Sequence, residues 1–100
     1  MTELKPRQRA HLRSLAQAVK PILQIGKEGV TEAVADTVEA ALNNRELLKV
    51  RVLESAPGHA REMGDQLVSG IRDTHLIQVI GRIVVIYRRH PEKPEISLPE

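Results

Sequence analysis

Between Lys5 and about Val19 the apolar residues Leu12, Leu15, Ala16 and Val19 return at helical spacing, opposite a polar row of Arg9, Arg13, Gln17 and Lys20. This pattern predicts an amphipathic helix with a basic outer face. Pro21 ends it, since proline brings no N–H and disfavours helical conformation in the residue before it. Ile22-Leu23-Gln24-Ile25 then reads as a short buried strand, closed by the turn Gly26-Lys27-Glu28-Gly29. Thr31 is placed to cap a second helix running to about Asn43, with Val34, Val38, Ala41 and Leu42 inward and Glu32, Asp36 and Glu39 outward. From Glu46 to Leu53 the period changes to two. Leu48, Val50 and Val52 share one strand face, and Lys49 and Arg51 the other, so one face of the sheet is expected to be partly wet.

After the break at Pro57-Gly58, the residues Ala60, Met63, Leu67, Val68 and Ile71 restore helical spacing to about Thr74. Leu76–Ile80 and Ile83–Arg88 are strand-forming runs joined by Gly81-Arg82, a connection short enough for a tight hairpin. Residues 90–100 carry three prolines and little apolar content and are expected to be a flexible tail. The order α-β-α-β-α-β-β predicts an α/β (α+β) fold. Helical crossovers favour parallel strands and the last hairpin adds an antiparallel one, giving a compact four-stranded mixed sheet with helices packed against it. At 100 residues the chain fits one domain, expected over 1–89.

Composition narrows the chemistry. Tyr87 is the only aromatic residue, so the core is built from Leu, Ile, Val and Ala, and the absence of cysteine removes disulfides, thiol nucleophiles and cysteine-bound zinc. No stretch resembles a signal peptide or a membrane span, which leads us to expect a cytoplasmic chain. His11, His59, His75 and His90 have no metal-ligand spacing, and no serine or carboxylate pair sits in a catalytic motif. A non-enzyme without metal, cofactor or small-molecule substrate is therefore expected, working as a monomer.

The net charge of +2 is uninformative, but its distribution is not. Six of the fifteen basic residues (Lys5, Arg7, Arg9, Arg13, Lys20 and Lys27) fall before residue 30, against Glu3 and Glu28 alone. Between a strand and a helix N-terminus, Gly26-Lys27-Glu28-Gly29 can bring backbone N–H groups and the Lys27 ammonium to an anion, which makes a phosphate cradle. A plain surface turn explains the same four residues, and a solvated helix face explains the basic row. The loop is neither a Walker A sequence nor a dinucleotide fingerprint. Joined to the row Arg9, Arg13 and Lys20, with Lys5 and Arg7 around it, the turn is expected to form a basic surface for RNA phosphates, which Lys49 and Arg51 either extend or leave, serving only to solubilise the open sheet face. One tyrosine cannot build the stacking platform that unpaired bases need, so structured RNA is the expected ligand. A protein-protein interaction module without RNA contact is the alternative.

Several segments together resemble the CRM family of chloroplast RNA splicing and ribosome maturation domains. They are Lys5-Pro6-Arg7-Gln8-Arg9-Ala10-His11-Leu12-Arg13, the run from Lys20 to Thr31, Glu46-Leu47-Leu48-Lys49-Val50, Gln78-Val79-Ile80-Gly81-Arg82 and Tyr87-Arg88. The likeness spans about residues 4–89 and is strongest to the stand-alone bacterial YhbY-type members. It implies a fold similar to the C-terminal domain of translation initiation factor three, with Gly26, Lys27 and Gly29 in the RNA-contacting loop. It also implies association with precursors of the large ribosomal subunit.

Overall fold

The computed structural model describes residues 3–100, so the first two positions of the expected domain lie outside it. Helix α1 (Pro6–Ala16) is followed by β1 (Pro21–Ile25), α2 (Glu32–Leu42), β2 (Leu47–Val52), α3 (Ala60–Ser69), β3 (His75–Ile80) and β4 (Ile83–Tyr87). Pro6 takes the first position of α1, where its missing N–H costs nothing, and Gln8 Oε1 accepts from the Lys5 N–H at 2.9 Å. The helix stops three residues before the expected Val19. Its last turn tightens into bonds from the N–H groups of Gln17, Ala18 and Val19 to carbonyls three residues back.

The strands lie in the order β1-β2-β4-β3, with β1 and β2 parallel and the other two pairs antiparallel. The crossover through α3 does return β3 in the direction of β2, but β4 is inserted between them. Burial explains this order. Val84, Val85, Ile86 and Tyr87 are buried in succession, as an inner strand covered on both faces requires, whereas β3 buries only Ile77 and accepts an edge. The connection back is Gly81-Arg82, where Gly81 takes φ +58°, the conformation that a type II′ hairpin requires at its first central residue.

Helices α2 and α3 cover one face of the sheet. Val38, Leu42, Met63 and Leu67 meet Ile25, Leu48, Val50, Val84 and Ile86 there, in an almost wholly aliphatic core. Helix α3 ends at Ser69, earlier than the expected Thr74, because Gly70 follows; Ile71 nevertheless stays buried as the chain turns back to the sheet. On the other face lies α1, whose Leu12 and Ala16 pack on Leu47, Ile77, Val85 and Tyr87. The segment 90–100, expected as a flexible tail, runs back along this side, with Ile96 and Leu98 against the same cluster. The buried Glu46 carboxylate accepts from the backbone N–H groups of His90, Glu95 and Ile96 at 2.7, 2.9 and 2.7 Å.

Candidate nucleic-acid interface

One helix is too narrow to cover four strands, and the register shows where α1 stops. Residues paired across a ladder share a face, so three rows cross the α1 side. Leu47, Tyr87 and His75 form the first and are mostly buried. Pro21, Lys49, Val85 and Gln78 form the second, with Lys49 and Gln78 half-buried. In the third, Gln24, Arg51 and Ile80 are exposed and only Ile83 is half-covered. Exposure thus rises row by row away from α1. The uncovered part carries two cations, two amides and aliphatic side chains, and no carboxylate. Ile22, Gln24 and Arg51 line a shallow groove on it of about 310 Å³. The expected short buried strand β1 is in fact an edge strand that buries Ile25 and leaves Ile22 45% exposed, because α1 does not reach it.

The Gly26–Gly29 turn stands at the open end of this face. The Gly29 N–H donates to the Gly26 carbonyl at 2.9 Å, and the Leu53 N–H donates to the Ile25 carbonyl at 2.9 Å, which ties the base of the turn to the end of β2. The two glycines do different work. Gly29 is buried at φ +73°, and a Cβ there would lie 2.9 Å from Pro57 Cγ, so this position is closed to other residues. At Gly26 a Cβ would find only Leu53 Cδ1 at 3.8 Å; backbone and space tolerate a side chain there. Lys27 and Glu28 are exposed at the tip. Thr31 is the N-cap as expected: its Oγ1 accepts from the Val34 N–H at 3.1 Å, leaving the N–H groups of Glu32 and Ala33 at the helix start for water or a ligand. Glu28 and Glu32 offset the Lys27 charge locally, so the electropositive feature of the turn is the backbone N–H groups at the start of α2 and not its own side chains.

The basic row on α1 is split. Arg13 and Lys20 are exposed, but Arg9 is half-buried, with Nη1 donating to the Leu76 carbonyl at 2.9 Å on the β3 edge. Its charge also helps hold the neighbouring His75 imidazole below its ordinary pKa of 6.5, after desolvation by burial as the larger cause and against the pull of Asp73. Lys5 and Arg7 are exposed at the start of α1. Lys20 precedes β1 and Lys27 follows it, so the five residues of the strand, about 16 Å at the usual rise, separate them. The expected surface is therefore an arc along α1 and the open sheet rather than one compact patch. Arg82 also stands at this end of the sheet. The sequence marks it only as part of a hairpin connection, since its place beside the turn depends on β4 lying inside the sheet, which no local pattern signals.

The helices on the far side of the sheet are acidic. Helices α2 and α3, on the far side, expose Glu32, Asp36, Glu39, Glu62 and Asp65, with Arg61 as the only basic residue in either helix. Arg88, at the end of β4, bridges to Glu39 at 3.3 Å and to Asn43 at 2.9 Å, a contact that fastens α2 to the sheet. A cleft of about 870 Å³ lies at the end of the sheet away from the turn, between the C-terminal segment and Leu4, His75 and Tyr87. Among the described residues no cluster of histidines and carboxylates is arranged to hold a metal ion, and no helix is long and apolar enough to cross a membrane.

The chain is similar to known proteins in both sequence and fold. The protein named Probable RNA-binding protein YqeI of Bacillus subtilis is 38% identical over 96% of this chain and 99% of its own length. A Haemophilus influenzae protein named RNA-binding protein is 39% identical over 99% of this chain and 98% of its own. The solution structure of the hypothetical protein SAV1595 from Staphylococcus aureus superposes with a TM-score of 0.81 at 42% identity, covering 97% of this chain and all of that one. Residues 4–88 match the CRS1 / YhbY (CRM) domain. The chain belongs to the CRS1/YhbY (CRM) domain family.

Proposed function

We propose that this protein is a non-catalytic, monomeric cytoplasmic module that binds structured RNA through its phosphate backbone and acts on precursors of the large ribosomal subunit. The observation that carries the reading is the one-sided distribution of charge. Lys49 and Arg51 rise from sheet rows that hold no carboxylate, Arg13 and Lys20 flank them on the α1 side, and the acidic side chains of α2 and α3 face away. Such a surface attracts a polyanion despite a net charge of only +2. The family's RNA-binding members support the choice of RNA. The lack of any aromatic side chain on the open rows favours phosphate and 2′-hydroxyl contacts over base stacking, and hence a folded RNA.

A protein-binding role is the second reading, favoured by the exposure of Ile22 and Ile80, 45% and 49%, on the same open face. Co-sedimentation of the tagged protein with ribosomal particles, followed by crosslinking, separates the two. The RNA reading expects the protein with large-subunit precursors and crosslinks from RNA to Lys27, Lys49 and the α1 flank. Recovery only in ribosome-free fractions, or crosslinks to protein alone, would favour the second reading.

A further inference from the structure

Arg82 sits at the tip of the β3–β4 hairpin, and the backbone brings that tip to the end of the sheet where the Gly26–Gly29 turn lies. The Val52 N–H donates to the Arg82 carbonyl at 2.6 Å, and the next N–H, that of Leu53, donates to the Ile25 carbonyl at the base of the turn at 2.9 Å. Only β2 separates the two, so their backbones stand about 10 Å apart, two strand spacings. The tip projects into open space: a Cβ on Gly81 would meet nothing within 4 Å. Arg82 Nη2 donates to Glu54 Oε1 at 2.7 Å, with side chains 57% and 76% exposed, and the other guanidinium donors have no partner among the described residues. An exposed pair of this kind stabilises a fold little, because water screens it. A guanidinium, by contrast, presents a planar fork that matches phosphate.

We propose that Arg82 is a phosphate contact of the RNA surface, and that Glu54 is its counter-ion in the free protein, exchanged for an RNA phosphate on binding. The inference rests on the RNA-binding reading above and deepens it. Glu54 is then an opponent of binding: RNA must break its bridge to Arg82 and lie near its carboxylate. Arg82 adds its charge at the end of the sheet, beside the turn and next to the Arg51–Ile83 pair.

A double-mutant cycle on the full chain tests this, using a labelled hairpin from large-subunit ribosomal RNA at one fixed salt concentration. Both side chains are exposed, so thermal midpoints are expected to match the wild type. Arg82→Ala should weaken binding, and Arg82→Lys, which keeps the charge without the fork, should fall between it and the wild type. Glu54→Gln should tighten binding by about two- to fivefold, within the range of an exposed bridge. That gain should be larger with Arg82 present than in the Arg82→Ala background, because only then is there a bridge to break. Unchanged affinity in Arg82→Ala would overturn the proposal. An equal gain from Glu54→Gln in both backgrounds would reduce Glu54 to simple repulsion and overturn the exchange. Absence of hairpin binding by the wild type would instead count against the RNA reading itself.

Discussion

At the scale of single residues, the two glycines of the Gly26–Gly29 turn are under different constraints, Gly29 held by the fold and Gly26 free of it. Gly29→Ala should destabilise the fold by about 1–3 kcal/mol, since it forces a side chain into left-handed backbone against Pro57. Gly26→Asp should leave stability within about 0.5 kcal/mol of wild type and lower RNA affinity, because a carboxylate would stand where phosphate approaches. Denaturation and RNA binding, measured on both variants, check this; equal stability loss in the two, or full binding by Gly26→Asp, would contradict it. The turn itself was legible in the sequence, but the division of labour was not. It depends on the path of the loop that brings Pro57 onto Gly29. His75 gives a second expectation. Its folded pKa lies below 6.5, so the unfolded chain takes up a proton first on acidification, and stability is lost as the pH falls through that value. His75→Gln should therefore gain on the wild type as pH falls, in paired thermal melts. A difference that stays constant with pH would remove His75 from the account.

At the scale of elements, periodicity located all three helices and four strands, because each has an apolar stripe or alternation of its own. The Thr31 cap was readable for the same local reason, through an oxygen that needs only its own helix. What could not be read was the placing of β4 between β2 and β3, which follows from competition among strands for a position buried on both faces. The function of the α1 row was similarly hidden. Arg9 has helical spacing with Arg13, yet it serves the β3 edge. Arg9→Ala should cost stability, by about 1 kcal/mol for the lost hydrogen bond, whereas Arg13→Ala should cost RNA affinity at unchanged stability. The reverse outcome would mean that the two residues had been assigned the wrong way round. The C-terminal segment depends on Glu46 in the same tertiary manner. Removing its carboxylate in Glu46→Ala takes the acceptor from three backbone donors and should cost about 1.5–3 kcal/mol while speeding proteolysis within residues 90–100. An unchanged melt and an unchanged digestion pattern would contradict that anchoring.

At the scale of the whole molecule, the sheet acts as a partition, with a sealed aliphatic core and acidic helices on one side and a half-covered basic face on the other. The sequence showed an excess of positive charge near the N-terminus, but Lys49 and Arg51 join that charge only through the register of β2 with its neighbours. A rigid surface poor in aromatic groups should prefer a folded ribosomal RNA fragment to an unstructured strand or a DNA duplex of similar charge. Competition at one salt concentration reads this preference, and equal competition by all three would leave general polyanion binding only. The central claim is that affinity comes from phosphates neutralised by this face, and the salt dependence of binding to the folded fragment tests it most directly. The logarithm of the association constant should fall linearly with the logarithm of salt concentration, at roughly 0.7–0.9 per contact. In the Lys49→Ala/Arg51→Ala variant the slope should be shallower by about two contacts at unchanged stability. A slope near zero in the wild type, or the same slope in the variant, would contradict the account.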